Sequence, residues 1–280
     1  MKTRIISAAV ALVVAIVVLL LAHTPVLDLV LAALSVGALY ELFKAMGLVK
    51  YLPECCICFG FSAVDIMIGM VHRQNVLGSL NTGLFAFLAV MGLLLLYLKN
   101  HDEYNYSIPF TFLGLTLGVT YSFACLQKMV TVFPKFGVFA VVLTLAGAWL
   151  ADSGAYFAGT FFGKHKLCPV ISPKKTVEGL IGGTVCNGVF LLAIAGVYGA
   201  LINKDVHVNL IAVFIAGMLC SLIGLVGDLG ASVIKRQAGI KDYGRIMPGH
   251  GGIMDRFDSV LTVTPFMYWL FTTGLLVTLK

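Results

Sequence analysis

The stretch GVFAVVLTLAGAWLADSGAYFAGTFF, Gly137–Phe162, holds one charged side chain, Asp152, in 26 residues. As a helix rising 1.5 Å per residue it would be about 39 Å long, enough to cross the roughly 30 Å hydrocarbon core of a bilayer. The rest of the 280-residue chain has the same character: 60% of its residues are hydrophobic and 11% are Asp, Glu, Lys or Arg. Soluble domains carry about 25% charged residues. Thirteen acids and 19 bases cannot cover a particle of this size in water, so a soluble globular enzyme is excluded, as is a disordered or fibrous chain. The seven cysteines offer one Cys-x-x-Cys step, Cys55 to Cys58, with no second pair to complete a zinc site. They read as small buried hydrophobes.

Working outward from that stretch, nine apolar segments can be read: residues 5–22, 26–46, 55–71, 80–98, 108–127, 137–162, 177–201, 208–234 and 259–279. The expected fold is all-α, a polytopic bundle of about nine transmembrane helices. The first segment, with Lys2 and Arg4 ahead of it, is too long for a signal-peptide core and lacks a small-x-small cleavage site, so it reads as an uncleaved span. With the N-terminus in the cytoplasm, 14 of the 19 lysines and arginines face inward, all but Arg73, Lys128, Lys135, Lys204 and Lys280. The positive-inside rule therefore predicts N-in, C-out, and the basic excess needs no nucleic-acid partner. Residues 1–136 are chemically quiet: Tyr40, Glu41 and Lys44 read as an interfacial anchor, and Asp65 is a mid-span acid with no evident partner. We expect residues 1–136 to supply packing helices and residues 137–280 the catalytic part.

Three polar clusters follow, all on the expected cytoplasmic face. In the first, Asp152, Tyr156, Gly159 and Gly163 recur at helical spacing and lead into Lys164, His165 and Lys166. In the second, Ser172-Pro173-Lys174-Lys175-Thr176-Val177-Glu178-Gly179, either Ser172 or Thr176 is an N-cap for the seventh span. A helix N-terminus beside two lysines is suited to an anion. The third runs from Asp228 through Ser232, Lys235, Arg236, Lys241 and Asp242 to Pro248-Gly249-His250-Gly251-Gly252 and Asp255-Arg256-Phe257-Asp258. Carboxylates suit a hard cation, bases suit the phosphate oxygens that the cation does not reach, and a glycine loop exposes backbone N–H groups.

The run from Ser232 to Asp258 resembles the C-terminal motif of CDP-diacylglycerol synthases, also called phosphatidate cytidylyltransferases. Asp152–Lys166 and Ser172–Gly179 resemble the same family's two upstream motifs, in the same order. The resemblance covers residues 152–258; the N-terminal spans share only their apolar character. It implies the reaction of phosphatidate with CTP to give CDP-diacylglycerol and pyrophosphate. It also implies a divalent cation, Mg²⁺ or Mn²⁺, leaves a second cation open, and implies a cytoplasmic-membrane enzyme acting as a homodimer.

On this reading Asp228 and Asp255 are the expected cation ligands. Lys235, Arg236, Lys241 and Arg256 are expected phosphate contacts, with Ser232 and His250 as hydrogen-bonding partners of the catalytic group. Asp152, Tyr156, Lys164, Lys174, Lys175, Thr176, Glu178, Asp242, Gly251, Gly252 and Asp258 are expected to line the substrate site. Two other readings remain. A CTP-dependent polyprenol or phytol kinase would move the γ-phosphate instead of the CMP unit. A transporter would need polar residues along several spans at mid-depth, whereas here, Asp65 apart, they crowd one face.

Overall fold

A backbone removed from water must satisfy its N–H and C=O groups within its own segment, so apolar runs bounded by glycine, proline and short polar turns fold as helices. The computed structural model describes residues 2–73, 82–246, 249 and 251–280. Among these residues the α-helices are α1 Lys2–Leu20, α2 Pro25–Ala45, α3 Leu52–Arg73, α4 Thr82–Lys99, α5 Ser107–Val132, α6 Gly137–Phe162, α7 Val177–Val197, α8 Leu210–Gln237 and α9 Met254–Thr272. They correspond one for one to the nine apolar segments. Seven of them, α2 to α8, are long and apolar enough to cross a membrane, and the chain is a polytopic helical membrane protein. The apolar run of α1, Ser7–Leu20, is shorter. Helix α9 begins with Met254-Asp255-Arg256-Phe257-Asp258, so its first turns are charged.

The last segment differs from expectation in its bounds. Its helix starts earlier, at Met254, and stops at Thr272, so Asp255 lies in a helical first turn and not in a loop. Beyond it, Gly274 adopts φ +71°, a left-handed turn open to glycine. The chain then forms strand β4, Val277–Leu279, antiparallel to β3, Val206–Val208, with His207 opposite Thr278. Valine and threonine, stiff at χ1, favour this extended pairing over two more helical turns. A second antiparallel pair, β1 Lys166–Cys168 and β2 Ser172–Thr176, joins α6 to α7.

The chain forms two compact units, Met1–Phe133 with Ala238–Arg256, and Pro134–Gln237 with Phe257–Lys280. The division near residue 133 lies close to the one expected at 136, but the segment 238–256 groups with the N-terminal helices. In the first unit α2, α3 and α5 pack together. Phe43 stacks on Phe59 and meets Phe112 edge-on, with centroids 5.7 and 4.8 Å apart. The Ser35 and Ser62 hydroxyls are 2.6 Å apart across α2 and α3. Asp65 on α3 has an electrostatic partner in Lys128 on α5, which answers the question its position raises.

In the second unit α6, α7 and α8 pack against one another. Their contact is made by residues too small to hold the backbones apart. A Cβ at Gly217 on α8 would stand 2.9 Å from Gly188 Cα on α7. Close approach of this kind is the usual means of helix association in lipid, where no hydrophobic force separates one apolar face from another. Asn187 on α7, fully buried, donates through Nδ2 to Gly147 O on α6 and to Gly217 O on α8, both at 2.8 Å. One side chain thus ties three helices at their common line. Replacing it should cost about 1–3 kcal/mol, the scale of two interhelical hydrogen bonds to a buried group. Thermal unfolding of the Asn187→Ala protein in detergent should therefore begin at lower temperature than that of the parent, while an exposed lipid-facing change such as Val189→Ala should leave it unmoved.

Candidate active site

The second unit carries a cavity of about 460 Å³ where α6 and α8 meet the β1–β2 hairpin and the start of α7. Asp152, Tyr156 and Thr160 line it from α6, Ser221 and Gly224 from α8, and Lys166, Ser172, Lys174, Lys175 and Thr176 from the hairpin. Three ammonium groups thus share one opening. Thr176 is the N-cap of α7, its Oγ1 accepting from Gly179 N at 3.1 Å; of the two candidates, Ser172 instead begins β2. The cap is held close to α6, because a Cβ at Gly159 would lie 2.8 Å from Thr176 Oγ1. The first N–H groups of α7 are already engaged, Val177 N by His165 O at 3.0 Å and Gly179 N by Thr176 Oγ1, and the positive end of the helix dipole adds to the charge of the lysines.

Glu178, expected to meet substrate, has its carboxylate occupied by the protein itself. It accepts from Lys164 N at 3.0 Å and His165 N at 3.2 Å, and lies 2.6 Å from His165 Nδ1. It therefore ties the exit of α6 to the first turn of α7 and sets the base of the hairpin that carries Lys174 and Lys175. Arg236, near the end of α8, reaches back to the same hairpin with Nε 3.4 Å from Ile171 O. Lys164 is exposed beside this clamp.

Asp228 on α8 forms an ion pair with Lys175, each side chain 23% exposed. Asp258 on α9 interacts electrostatically with Asp228, with Lys235 and with Asp152. The approach of α9 to α8 at this level depends on Gly227, where a Cβ would stand 2.5 Å from Asp258 O and from Thr262 Oγ1. Ser232 is buried one turn beyond Asp228 on α8. Among the described residues no three His, Cys, Asp or Glu side chains converge on one point as a self-sufficient metal cage. The pair of Asp228 and Asp258 nonetheless fits a magnesium-like ion. Such an ion is commonly held by one or two carboxylates, with its other positions filled by water and substrate phosphate.

Asp255 is differently engaged, in the first unit. Its Oδ2 accepts from Tyr243 N at 2.8 Å and Gly252 N at 3.0 Å, closing the segment that precedes α9. Gly251 takes φ +86° there. Lys241, Asp242 and Arg256 are exposed in the same unit. His250 lies outside the described residues. The residue that sequence reasoning missed is Glu41. Read as an interfacial anchor, it is instead 3% exposed and accepts from Ile253 N at 3.1 Å and Met254 N at 2.8 Å. It caps α9 from a position 212 residues upstream, and it fits because Gly244 and Gly252 present no side chain to it. Its only signal in the sequence is an acid near the end of an otherwise apolar span.

Residues 2–273 match the model of the cytidylyltransferase family. A phosphatidate cytidylyltransferase of Staphylococcus haemolyticus is 33% identical over 273 residues, 95% of this chain and 97% of the relative. One of Staphylococcus saprophyticus is 34% identical with the same coverage. One of Staphylococcus aureus is 45% identical over 131 residues, 47% of this chain and 48% of the relative.

Removing the Glu41 carboxylate leaves two N–H groups at the start of α9 without an acceptor. Backbone hydrogen exchange of residues 251–258 should accelerate in Glu41→Ala by about tenfold or more, the equivalent of one lost charge-assisted bond. Glu41→Gln, which keeps one acceptor oxygen, should lie between the two. Unchanged protection in the alanine protein would count against the cap.

Proposed function

The chain belongs to the cytidylyltransferase family, and from that premise we propose that it transfers the CMP unit of CTP to phosphatidate, giving CDP-diacylglycerol and pyrophosphate. The observation that carries this reading is the cavity of the second unit, which gathers Lys166, Lys174 and Lys175 beside the carboxylates of Asp152 and Asp228. The nucleophile is a phosphate oxygen of the lipid, anionic at neutral pH. It forms a bond to the α-phosphorus of CTP while the bond from that phosphorus to the α,β-bridging oxygen breaks, and pyrophosphate leaves with the electron pair. No serine or cysteine intermediate is needed.

The obstacle is repulsion between an anionic nucleophile and a triphosphate. Catalysis therefore rests on neutralising charge and aligning the two phosphates. The hairpin lysines and the α7 N-terminus oppose the phosphate charge. Lys235, which interacts electrostatically with Asp258, adds positive charge beside the acids, and Arg236, tied to Ile171 O, adds a further cation at the hairpin. Glu178 acts by holding the hairpin in place. A divalent cation held by Asp228 and Asp258 would add charge at phosphate oxygens that the lysines do not reach. Asp152, exposed on α6, is suited to orient the nucleotide by accepting hydrogen bonds.

The positive-inside bias supports a cavity that faces the cytoplasm, where CTP is available, with the lipid headgroup entering from the side of the bundle. Exposed aromatic residues near the end of α6, Tyr156, Phe157, Phe161 and Phe162, suit the level where headgroup meets hydrocarbon.

CTP labelled in the cytosine ring separates this reaction from that of a lipid kinase. In detergent with phosphatidate, label should pass into the lipid and unlabelled pyrophosphate should appear; label confined to CDP would identify a kinase. Asp228→Asn should lower kcat on the order of 10²–10³-fold, the loss typical of one electrostatic contributor, with the protein still folded and membrane-inserted. Activity near that of the parent would remove Asp228 from the site.

A further inference from the structure

Lys175 and Asp228 form an ion pair at the mouth of a site that must accept both a cation and a polyphosphate. Each group faces a partner it will have to exchange. Asp228 shares its surroundings with Asp258 and Lys235, and Lys175 lines the cavity next to Lys174. Two carboxylates without a cation repel each other, and a half-buried charge without a partner is costly. The pair removes both penalties. The ammonium also occupies the Asp228 oxygen Oδ2, which a cation held by that carboxylate would need.

We propose that Lys175 is a tethered stand-in for the cation at Asp228, displaced when the cation binds and freed to meet the phosphate oxygens of the nucleotide. This inference rests on the cytidylyltransferase reading, since it takes a cation and a triphosphate as the ligands, and deepens it by linking their binding. With the cation absent, Lys175 is held by Asp228 and withheld from the triphosphate. With the triphosphate absent, Lys175 competes with the cation. Each ligand thus removes the obstacle to the other, and the coupling is reciprocal. No new contact between the ligands is needed. The position of Lys175 as the next-to-last residue of β2, directly before the Thr176 cap, supports a side chain that swings while its backbone stays fixed. Four rotatable carbons suit lysine to this exchange better than the planar fork of arginine.

The test is binding of Mn²⁺ alone to the full-length protein in detergent, read from the electron paramagnetic resonance signal of the free ion, without nucleotide. Apparent affinity falls by the fraction of molecules in which the site is open. A pair closed nine-tenths of the time would therefore weaken Mn²⁺ binding about tenfold. Lys175→Gln should bind Mn²⁺ on the order of tenfold more tightly than the parent. Lys174→Gln loses the same charge from the same strand without opening Asp228, and should change affinity by about twofold at most, the scale of an exposed charge screened by salt. Lys175→Arg keeps the charge but grips a carboxylate through two parallel bonds, so it should bind Mn²⁺ no better than the parent. A gain in affinity cannot arise from misfolding. The KM for CTP should rise in Lys175→Gln, because the freed ammonium is gone.

Equal tightening in the two glutamine variants would reduce the effect to net charge and overturn the proposal, as would no tightening in Lys175→Gln. Tightening with an unchanged KM would overturn the transfer of Lys175 to the nucleotide. Mn²⁺ binding by the parent that is absent, or insensitive to Asp228→Asn, would remove the cation site and the proposal with it. Transfer of cytosine label to phosphatidate by the same preparation reports separately on whether the reaction assignment stands.

Discussion

An ionised side chain at the centre of a bilayer costs about 2.5–3.5 kcal/mol on the insertion scale, and the arrangement of this protein follows from how its few charges avoid that cost. Asp65 has Lys128 on the neighbouring helix. Glu41 takes two backbone N–H groups at the start of α9. Glu178 takes two more, together with the His165 ring, at the start of α7. Asp228 has Lys175. Each of these four acids joins one element to another, because a group that must find a partner also fixes where that partner sits. The chain has little polar material, and these examples show it serving as connections.

Those connections require backbones to come close, which the glycines permit. Gly188 and Gly217 bring α7 to α8, Gly159 brings α6 to the Thr176 cap, and Gly227 brings α8 to α9 beside Asp258. The three helices that Asn187 joins are also those that frame the cavity. Tight packing at the glycines thus fixes the walls against which the hairpin lysines are aimed. Lys174 and Lys175 sit on β2 at the edge of that frame, Lys174 exposed and Lys175 paired with Asp228.

Much of this was legible in residue order. The helices came out where apolar length exceeded what a bilayer requires, and the Asp152, Lys174–Thr176 and Asp228 clusters were visible as charge in an otherwise uncharged chain. Their partners were harder to read. Glu41 looked like an anchor because its acceptors lie 212 residues away and are backbone N–H groups, which every residue but proline carries. Glu178 stood in a motif beside two lysines, where a substrate contact was the natural reading. Only the path of the α6 exit places the Lys164 and His165 N–H groups within its reach. Asn187 was one amide in a long apolar run, and nothing local marks it as the point where three helices meet. The ends of α9 were misjudged because apolar content does not separate a last helical turn from a short β-strand whose pairing partner, β3, is far away in sequence.

By itself the sequence determined that this protein lives in a membrane, where its helical segments lie and which stretches concentrate its charge, since apolar length and the position of charge are properties of residue order. Only the tertiary structure decided which charge meets which. It joined Lys175 to Asp228, set Asp258 beside Asp228 within the second unit, and turned Glu41 into the cap of α9. A pairing depends on how close two backbones come, and that distance is set by glycines and turns elsewhere in the chain.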